Sequence, residues 1–205
     1  EEYLLGPEMR QEYKRKVHAL KRKAGTPPLS THDLINEATD PILNRFKEKG
    51  LTNKKEDKVK VIFYPIYLSG ADRILDLSYY EAMMGSHLGV FASYYEPFGY
   101  TPLEAGALAV PNVTTDCAGF GRFLLKEPNV TAYPGIYLIN RLGKSYEDVV
   151  ADLTETLTTF SRLTRQERAE NKIQAKKLAM RFDWKILIDN YIKAHNIAVE
   201  KRFGN

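Results

Sequence analysis

The sequence predicts an α/β fold, in which a parallel sheet is flanked by helices. Short strand-like runs occur at residues 88–92, 112–115 and 136–139, and the first of them is continuously apolar, as buried parallel strands are. Longer segments with apolar residues at helical spacing alternate with these runs. The 205 residues, 43% hydrophobic and 27% charged, are those of a globular protein that can bury a sizeable core.

The N-terminal part of the chain is predicted to be helical. Residues 1–24 form a charged stretch that a glycine and two prolines close. Ser30 and Thr31 offer N-caps to a helical stretch that runs to Lys49, and Pro41 begins a second helix within it, because proline fits only a first turn. The residues expected to face the core are Leu34, Ile35, Ile42, Leu43 and Phe46.

The elements of the sheet begin after residue 58. Residues 59–64 are predicted to be a strand, and Ser78 with Glu81 forms the capping box of a short helix. Amphipathic helices are expected near residues 145–160, 164–181 and 183–201.

Four strands are fewer than a doubly wound sheet usually has, which predicts a partial Rossmann-like domain with further strands upstream of Glu1. The predicted division is a helical segment over 1–58, an α/β core over 59–144 and C-terminal helices over 145–205.

Charge and cysteine content narrow the functional classes. The net charge of +4 is mild and its basic stretches interleave with glutamate, so no nucleic-acid partner is expected. Cys117 is the single cysteine, which excludes an intrachain disulfide and favours a reducing compartment. No apolar run approaches the roughly 20 residues of a membrane span, and no signal peptide opens the chain. These features predict a cytoplasmic protein without a membrane partner.

The segment richest in chemistry is residues 93–104, which lead from a predicted strand through a loop into a helix. Thr101 is the expected N-cap and Glu104 the capping-box partner. The free N–H groups of such a helix start suit a diphosphate, and Gly99 lets the backbone come close to it. Glu96 adds a carboxylate that can accept hydrogen bonds from sugar hydroxyls. An ordinary helix start, with Glu104 bonded to the Thr101 N–H, is the alternative interpretation.

The two glutamates stand in the string YEPFGYTPLE, which resembles the signature of glycosyltransferase family 3, the animal and fungal glycogen synthases. The resemblance extends over nearly the whole chain in family order. Its further segments are residues 28–44, 59–65, 87–91, 119–121 and 183–184.

This resemblance implies the C-terminal, nucleotide-sugar-binding half of a two-domain GT-B glycosyltransferase. Such an enzyme transfers glucose, with retention of configuration, from a nucleoside diphosphate glucose to the 4-OH of an α-1,4-glucan. UDP-glucose is the favoured donor and ADP-glucose stays open. No cofactor is implied, and the sequence carries no Asp-x-Asp pair for a metal.

The resemblance also implies roles for individual residues. Glu96 is the catalytic candidate beside the donor glucose, and Glu104 would bond the ribose hydroxyls. Tyr67 and Tyr79 would sandwich the uracil ring. The diphosphate and donor sugar would be held by Gly99, Tyr100, Thr101, Gly119, Phe120 and Gly121.

The partners that the resemblance implies are the nucleotide sugar, the glucan, the N-terminal domain of the same enzyme and further copies of the chain. The family's phosphate-binding Arg and Lys lie on an earlier part of this domain, and most of the acceptor site lies on the other domain. The chain by itself is therefore expected to be inactive.

One stretch departs from the family. The family carries an arginine-rich regulatory helix, of which this sequence keeps Arg165 and Arg168. Glu167 and Glu170 would repel a phosphate, so weak or absent activation by glucose 6-phosphate is expected. An ordinary solvated helix is the alternative there. For the whole chain, the alternatives are another GT-B transferase with a different acceptor, and a non-catalytic nucleotide-binding or oligomerisation module.

Overall fold

The computed structural model describes residues 26–72, 74–126 and 133–204. The helix predicted over residues 1–24 lies outside the described residues. The chain divides into two compact units, Glu1–Tyr67 and Leu68–Asn205. The domain boundaries expected from the sequence, after residues 58 and 144, stay a prediction.

In the first unit, helix α1 spans Pro41–Glu48 and begins at the predicted proline. The side chain of Asp40 caps it by accepting hydrogen bonds from the N–H groups of Ile42 and Leu43, at 3.0 and 2.9 Å. Leu43 is buried, as expected, whereas Ile35 is fully exposed and Ile42 is 43% exposed, so the predicted core of this segment is wrong at Ile35 and Ile42. The expected helix start at Ser30 and Thr31 is also wrong. Thr31 instead donates its N–H to the Phe63 carbonyl at 3.0 Å.

The strand predicted over residues 59–64 does not form. Phe63 makes an isolated parallel bridge with Ser30, and its N–H bonds the Leu29 carbonyl at 2.7 Å. Next to it, the side-chain amide of Asn53 bonds both the N–H and the carbonyl of Val61, at 2.8 Å each. Because a side chain satisfies these backbone groups, they do not serve a strand ladder.

The second unit contains the sheet. Its strands are β1 (Gly89–Val90), β2 (Asn112–Thr115) and β3 (Ile136–Ile139), parallel and in the order β1–β2–β3. This confirms the predicted parallel sheet, although β1 is shorter than the apolar run at residues 88–92. The carboxyl ends of parallel strands lie at one edge, where α/β folds bind ligands.

Helices connect and flank these strands. The capping box predicted between Ser78 and Glu81 is confirmed. The three C-terminal helices are also confirmed, within a few residues of their expected bounds. None of the helices in the described ranges is long and apolar enough to cross a membrane. The helices of this unit are α2 (Tyr79–Met84), α3 (Tyr100–Ala107), α4 (Gly119–Leu124), α5 (Tyr146–Ser161), α6 (Arg165–Met180) and α7 (Trp184–Phe203).

Two apolar clusters place helices on both faces of the sheet. On one face, Val113 and Ile139 pack with Val149 of α5. On the other face, Ile136 packs with Phe120 of α4 and with a buried alanine of α6. Burial on both faces is the property of parallel sheets in α/β proteins, and the unit is a partial Rossmann-like domain.

Candidate functional site

Two loops lie side by side at the carboxyl edge of the sheet. The loop after β1 carries Glu96, and the loop after β2 leads into α4. The Glu96 N–H bonds the Cys117 carbonyl at 3.3 Å, and the Gly119 N–H bonds the Glu96 carbonyl at 3.3 Å. The Phe120 N–H bonds the Phe98 carbonyl at 2.7 Å. These bonds fix the backbone of Glu96 beside the first turn of α4.

The Gly119-Phe120-Gly121 segment is not a free loop, since it forms the first turn of α4. A Cβ on Gly119 would lie 2.5 Å from the Pro97 carbonyl oxygen, so only glycine permits this approach of the two loops. The Phe120 ring is fully buried and lies 4.7 Å from the ring of Phe182, centroid to centroid. Its side chain therefore belongs to the core.

A buried carboxylate connects this edge to β3. Asp116, which is 5% exposed, accepts hydrogen bonds from the N–H groups of Arg141, at 2.7 Å, and Leu142, at 3.2 Å. The Arg141 guanidinium lies over the ring of Tyr94, 3.3 Å from its centroid. The Nε of Arg122 donates to the Asp116 carbonyl at 3.0 Å.

The structure thus brings two arginines to an edge where the sequence showed no Arg or Lys clamp. Neither belongs to a recognisable motif. The indication in the sequence for Arg141 was its place just after a predicted strand, at the sheet edge where ligands bind.

Helix α3 starts at this edge without a side-chain cap. Gly99 is its N-cap residue, with a φ of 101° that glycine tolerates, and it offers no side-chain hydrogen bond. The expected N-cap Thr101 is wrong, since Thr101 lies inside the first turn, where it is exposed. First-turn N–H groups have no partner within a helix, and the macrodipole makes them electropositive. This helix start can therefore accept an anion.

Glu104 lies on the same helix but does not cap it. Its Oε2 accepts a hydrogen bond from the Tyr79 hydroxyl at 2.9 Å, and its Oε1 accepts one from the Tyr80 hydroxyl at 3.2 Å. Burial, reinforced by the Glu104 hydrogen bond and charge, raises the pKa of Tyr79 to about 12. The Glu104 charge is also the main cause that raises the pKa of Tyr80. Both phenols therefore stay protonated donors near neutral pH.

The two tyrosines expected to sandwich a base fall in different units. Tyr67 is almost wholly exposed and closes the first unit, whereas the half-buried Tyr79 belongs to the second. The Tyr79 ring packs against Tyr80, with centroids 5.1 Å apart. The sandwich stays a prediction.

The remaining predicted residues, Arg165 and Arg168, belong to α6, which borders a cavity of about 550 Å³. Arg168 lines the cavity and also donates to the Leu163 carbonyl, while Arg165 is exposed. Glu167 caps its own helix and accepts a hydrogen bond from the Tyr133 hydroxyl at 2.7 Å. The lining residues are Ser86, His87, Leu88, Phe160, Ser161 and Arg168. Within the described ranges, no group of three or more His, Cys, Asp or Glu residues could hold a metal ion.

The fold is that of a partial Rossmann-like domain, with Glu96 before an uncapped helix start and Glu104 inside that helix. Comparison with known proteins gives the family. The sequence profile described as "Glycogen synthase" matches residues 1–205. The chain is 37% identical over 190 residues to the glycogen [starch] synthase of Neurospora crassa and 38% identical over 193 residues to isoform 2 of Saccharomyces cerevisiae. It is 38% identical over 191 residues to the human liver glycogen [starch] synthase.

The chain therefore belongs to the glycogen synthase family. Each of these three alignments covers 93% of the chain and 27% of the relative, so the chain spans about a quarter of the relatives' length.

Proposed function

We propose that this chain supplies the donor-binding part of a retaining glucosyltransferase, which extends an α-1,4-glucan from a nucleoside diphosphate glucose. The observation that carries the proposal is the uncapped start of α3, with Glu96 before it and Glu104 inside it, at the carboxyl edge of a parallel sheet. The relatives named glycogen [starch] synthases support the choice of reaction.

The diphosphate would lie at the start of α3. The N–H groups of Tyr100 and Thr101 belong to the first turn, where a helix offers them no partner, and Gly99 adds no capping side chain. Arg141, held by Asp116 and Tyr94, adds a positive charge at the same edge. These groups would stabilise the negative charge that develops on the departing diphosphate.

Glu96 would act on the donor glucose. Its backbone is fixed to Cys117 and Gly119, and its side chain is half-buried. Glucosyl transfer passes through an oxocarbenium-like transition state, and a carboxylate close to the ring stabilises that positive charge.

Glu104 would bind the ribose hydroxyls, with Tyr79 beside the base. UDP-glucose is the proposed donor, because Tyr67 and Tyr79 correspond to the positions that hold uracil in the family's pattern. The glucan acceptor and further phosphate ligands would come from the part of the protein outside these residues. Transfer would then require closure of the two parts around the donor.

Replacement of Glu96 tests the proposal. In the full-length protein, Glu96→Gln should lower the incorporation of glucose from UDP-glucose into glycogen by at least about 100-fold, while UDP affinity changes by less than about threefold. The matched control is Glu147→Gln, on the exposed first turn of α5, which should keep wild-type activity.

Full activity of the Glu96→Gln variant would contradict the role of Glu96. Transfer to a sugar acceptor other than glycogen would favour a different transferase. No turnover with any acceptor, together with nucleotide binding, would favour the non-catalytic module.

A further inference from the structure

Two neighbouring tyrosines share the carboxylate of Glu104. They are the first two residues of α2, and each hydroxyl donates to a different oxygen of the carboxylate, Tyr79 to Oε2 at 2.9 Å and Tyr80 to Oε1 at 3.2 Å. Both oxygens that the proposed function assigns to the ribose are thus already hydrogen-bonded within the chain.

The two hydrogen bonds are unequal. Tyr79 is half-buried and makes the shorter bond, so its loss would leave a partly desolvated phenol and carboxylate. Tyr80 is 50% exposed, and its hydroxyl can exchange Glu104 for water at little cost. Of the two contacts, the Tyr80 contact is the one that a ligand can displace.

A ribose diol presents two neighbouring O–H donors, which suit the two oxygens of one carboxylate. Each oxygen has a second lone pair, but the half-exposed Tyr80 places its hydroxyl 3.2 Å from Oε1 and takes one acceptor position there. A diol that uses both oxygens therefore meets the Tyr80 side chain, whereas the Tyr79 contact can remain as the anchor of Glu104.

We infer that Tyr80 is a specificity-determining residue that occupies the Glu104 oxygen needed by a bound ribose, and that its hydroxyl must leave when a nucleoside diphosphate binds. This inference rests on the proposed donor site. Tyr80 lowers the affinity for nucleotides with a complete diol, since only these have to displace the Tyr80 hydrogen bond.

The test measures the dissociation constant of UDP for the full-length protein by calorimetry. Tyr80→Phe should tighten UDP binding by about two- to fivefold, because the competing hydroxyl is gone. Tyr79→Phe should weaken it by a similar factor, because Glu104 loses its anchor. Tyr146→Phe, an exposed tyrosine of α5, is the matched control and should bind as the wild type does.

A UDP analogue without the 2′- and 3′-hydroxyls separates the possible outcomes. Tyr80→Phe should give no gain with this analogue, because the competition runs through the diol. Unchanged or weaker UDP binding by Tyr80→Phe would overturn the inference. If Glu104→Gln binds UDP and the analogue as the wild type does, the proposed donor site itself fails. Loss of UDP affinity in Glu104→Gln without a gain in Tyr80→Phe refutes the role of Tyr80 alone.

Discussion

At the scale of single residues, the site depends on side chains that hold backbone in place. Asp116 is the clearest case, since it is buried and accepts hydrogen bonds from the N–H groups of Arg141 and Leu142. It thereby fixes the end of β3 next to the loop that follows β2. Glu96 is held differently, by backbone–backbone hydrogen bonds, and the carboxylate of Glu104 is held by two phenols.

Asp116→Ala should lower the free energy of unfolding by about 2–3 kcal/mol, because two N–H groups in a partly buried loop lose a charged acceptor. Urea denaturation measures the change. Asp152→Ala is the control, since it removes a carboxylate whose partner is the partly exposed Lys144, and it should cost less than about 1 kcal/mol. Equal losses in the two variants would contradict the role of Asp116.

Tyr79 predicts a pH dependence at the alkaline end. Its pKa is about 12 in the folded chain against 10.0 for an unperturbed tyrosine, so the unfolded state loses this proton first. The contribution of Tyr79 to stability is complete below pH 10 and is lost as the pH rises towards 12. Denaturation at a series of pH values should show that the free energy of unfolding falls less steeply above pH 10 in Tyr79→Phe than in the wild type. An identical fall would show that Tyr79 does not contribute.

Residue-level prediction from sequence succeeded in part. Glu96 and Glu104 could be singled out because they stand in one short string, and their roles stay proposals. Thr101 was misplaced as a cap because Gly99 adopts a left-handed backbone that starts the helix earlier. Arg141 was missed because its contacts, with Asp116 and Tyr94, join residues far apart in the chain.

At the scale of elements, helix α6 is joined to β3 by a buried polar contact. The Oδ1 of Asn171 accepts hydrogen bonds from the Gly135 N–H at 3.0 Å and the Tyr137 hydroxyl at 2.8 Å. Its Nδ2 donates to the Glu167 carbonyl at 3.1 Å. A buried amide with its bonds made fixes the register of the helix against the strand.

Asn171→Ala should therefore destabilise the chain by about 2–3 kcal/mol, since it leaves the Gly135 N–H and the Tyr137 hydroxyl without this acceptor. Thermal or urea unfolding gives the value. Lys172→Ala, at the next and exposed position of the same helix, should change stability by less than about 0.5 kcal/mol. A loss below 1 kcal/mol in Asn171→Ala would contradict the importance of this contact.

The elements that were predicted best are those whose local sequence and tertiary setting agree. Residues 112–115 and 136–139 are strands with the expected bounds, because parallel neighbours and helices cover both of their faces. The sequence of residues 59–64 also favours a strand, but the side-chain amide of Asn53 hydrogen-bonds the backbone N–H and carbonyl of Val61. A strand requires a partner, which propensity alone does not supply.

At the scale of the whole molecule, the chain carries three parallel strands in its described part and spans about a quarter of its relatives' length. The partial character of the sheet could be predicted from the low number of strand-like runs. The division at residue 67 could not, because it depends on which contacts the described segments make.

Activation by glucose 6-phosphate is predicted to be weak. The cavity beside α6 offers a phosphate one guanidinium, that of Arg168, and this group already bonds the Leu163 carbonyl. Glucose 6-phosphate should therefore raise the activity of the full-length protein by no more than about twofold, and Arg168→Ala should change that factor little. Strong activation, of about tenfold or more, would contradict this account of α6.

The proposed donor site requires that a nucleoside diphosphate binds at the start of α3. Hydrogen–deuterium exchange of the full-length protein, with and without saturating UDP, tests it most directly. If UDP binds there, exchange should slow in residues 79–80, 93–104 and 116–121, and the effect should be smaller in Glu104→Gln. Unchanged exchange in all three segments, with protection appearing elsewhere in the chain, would contradict it.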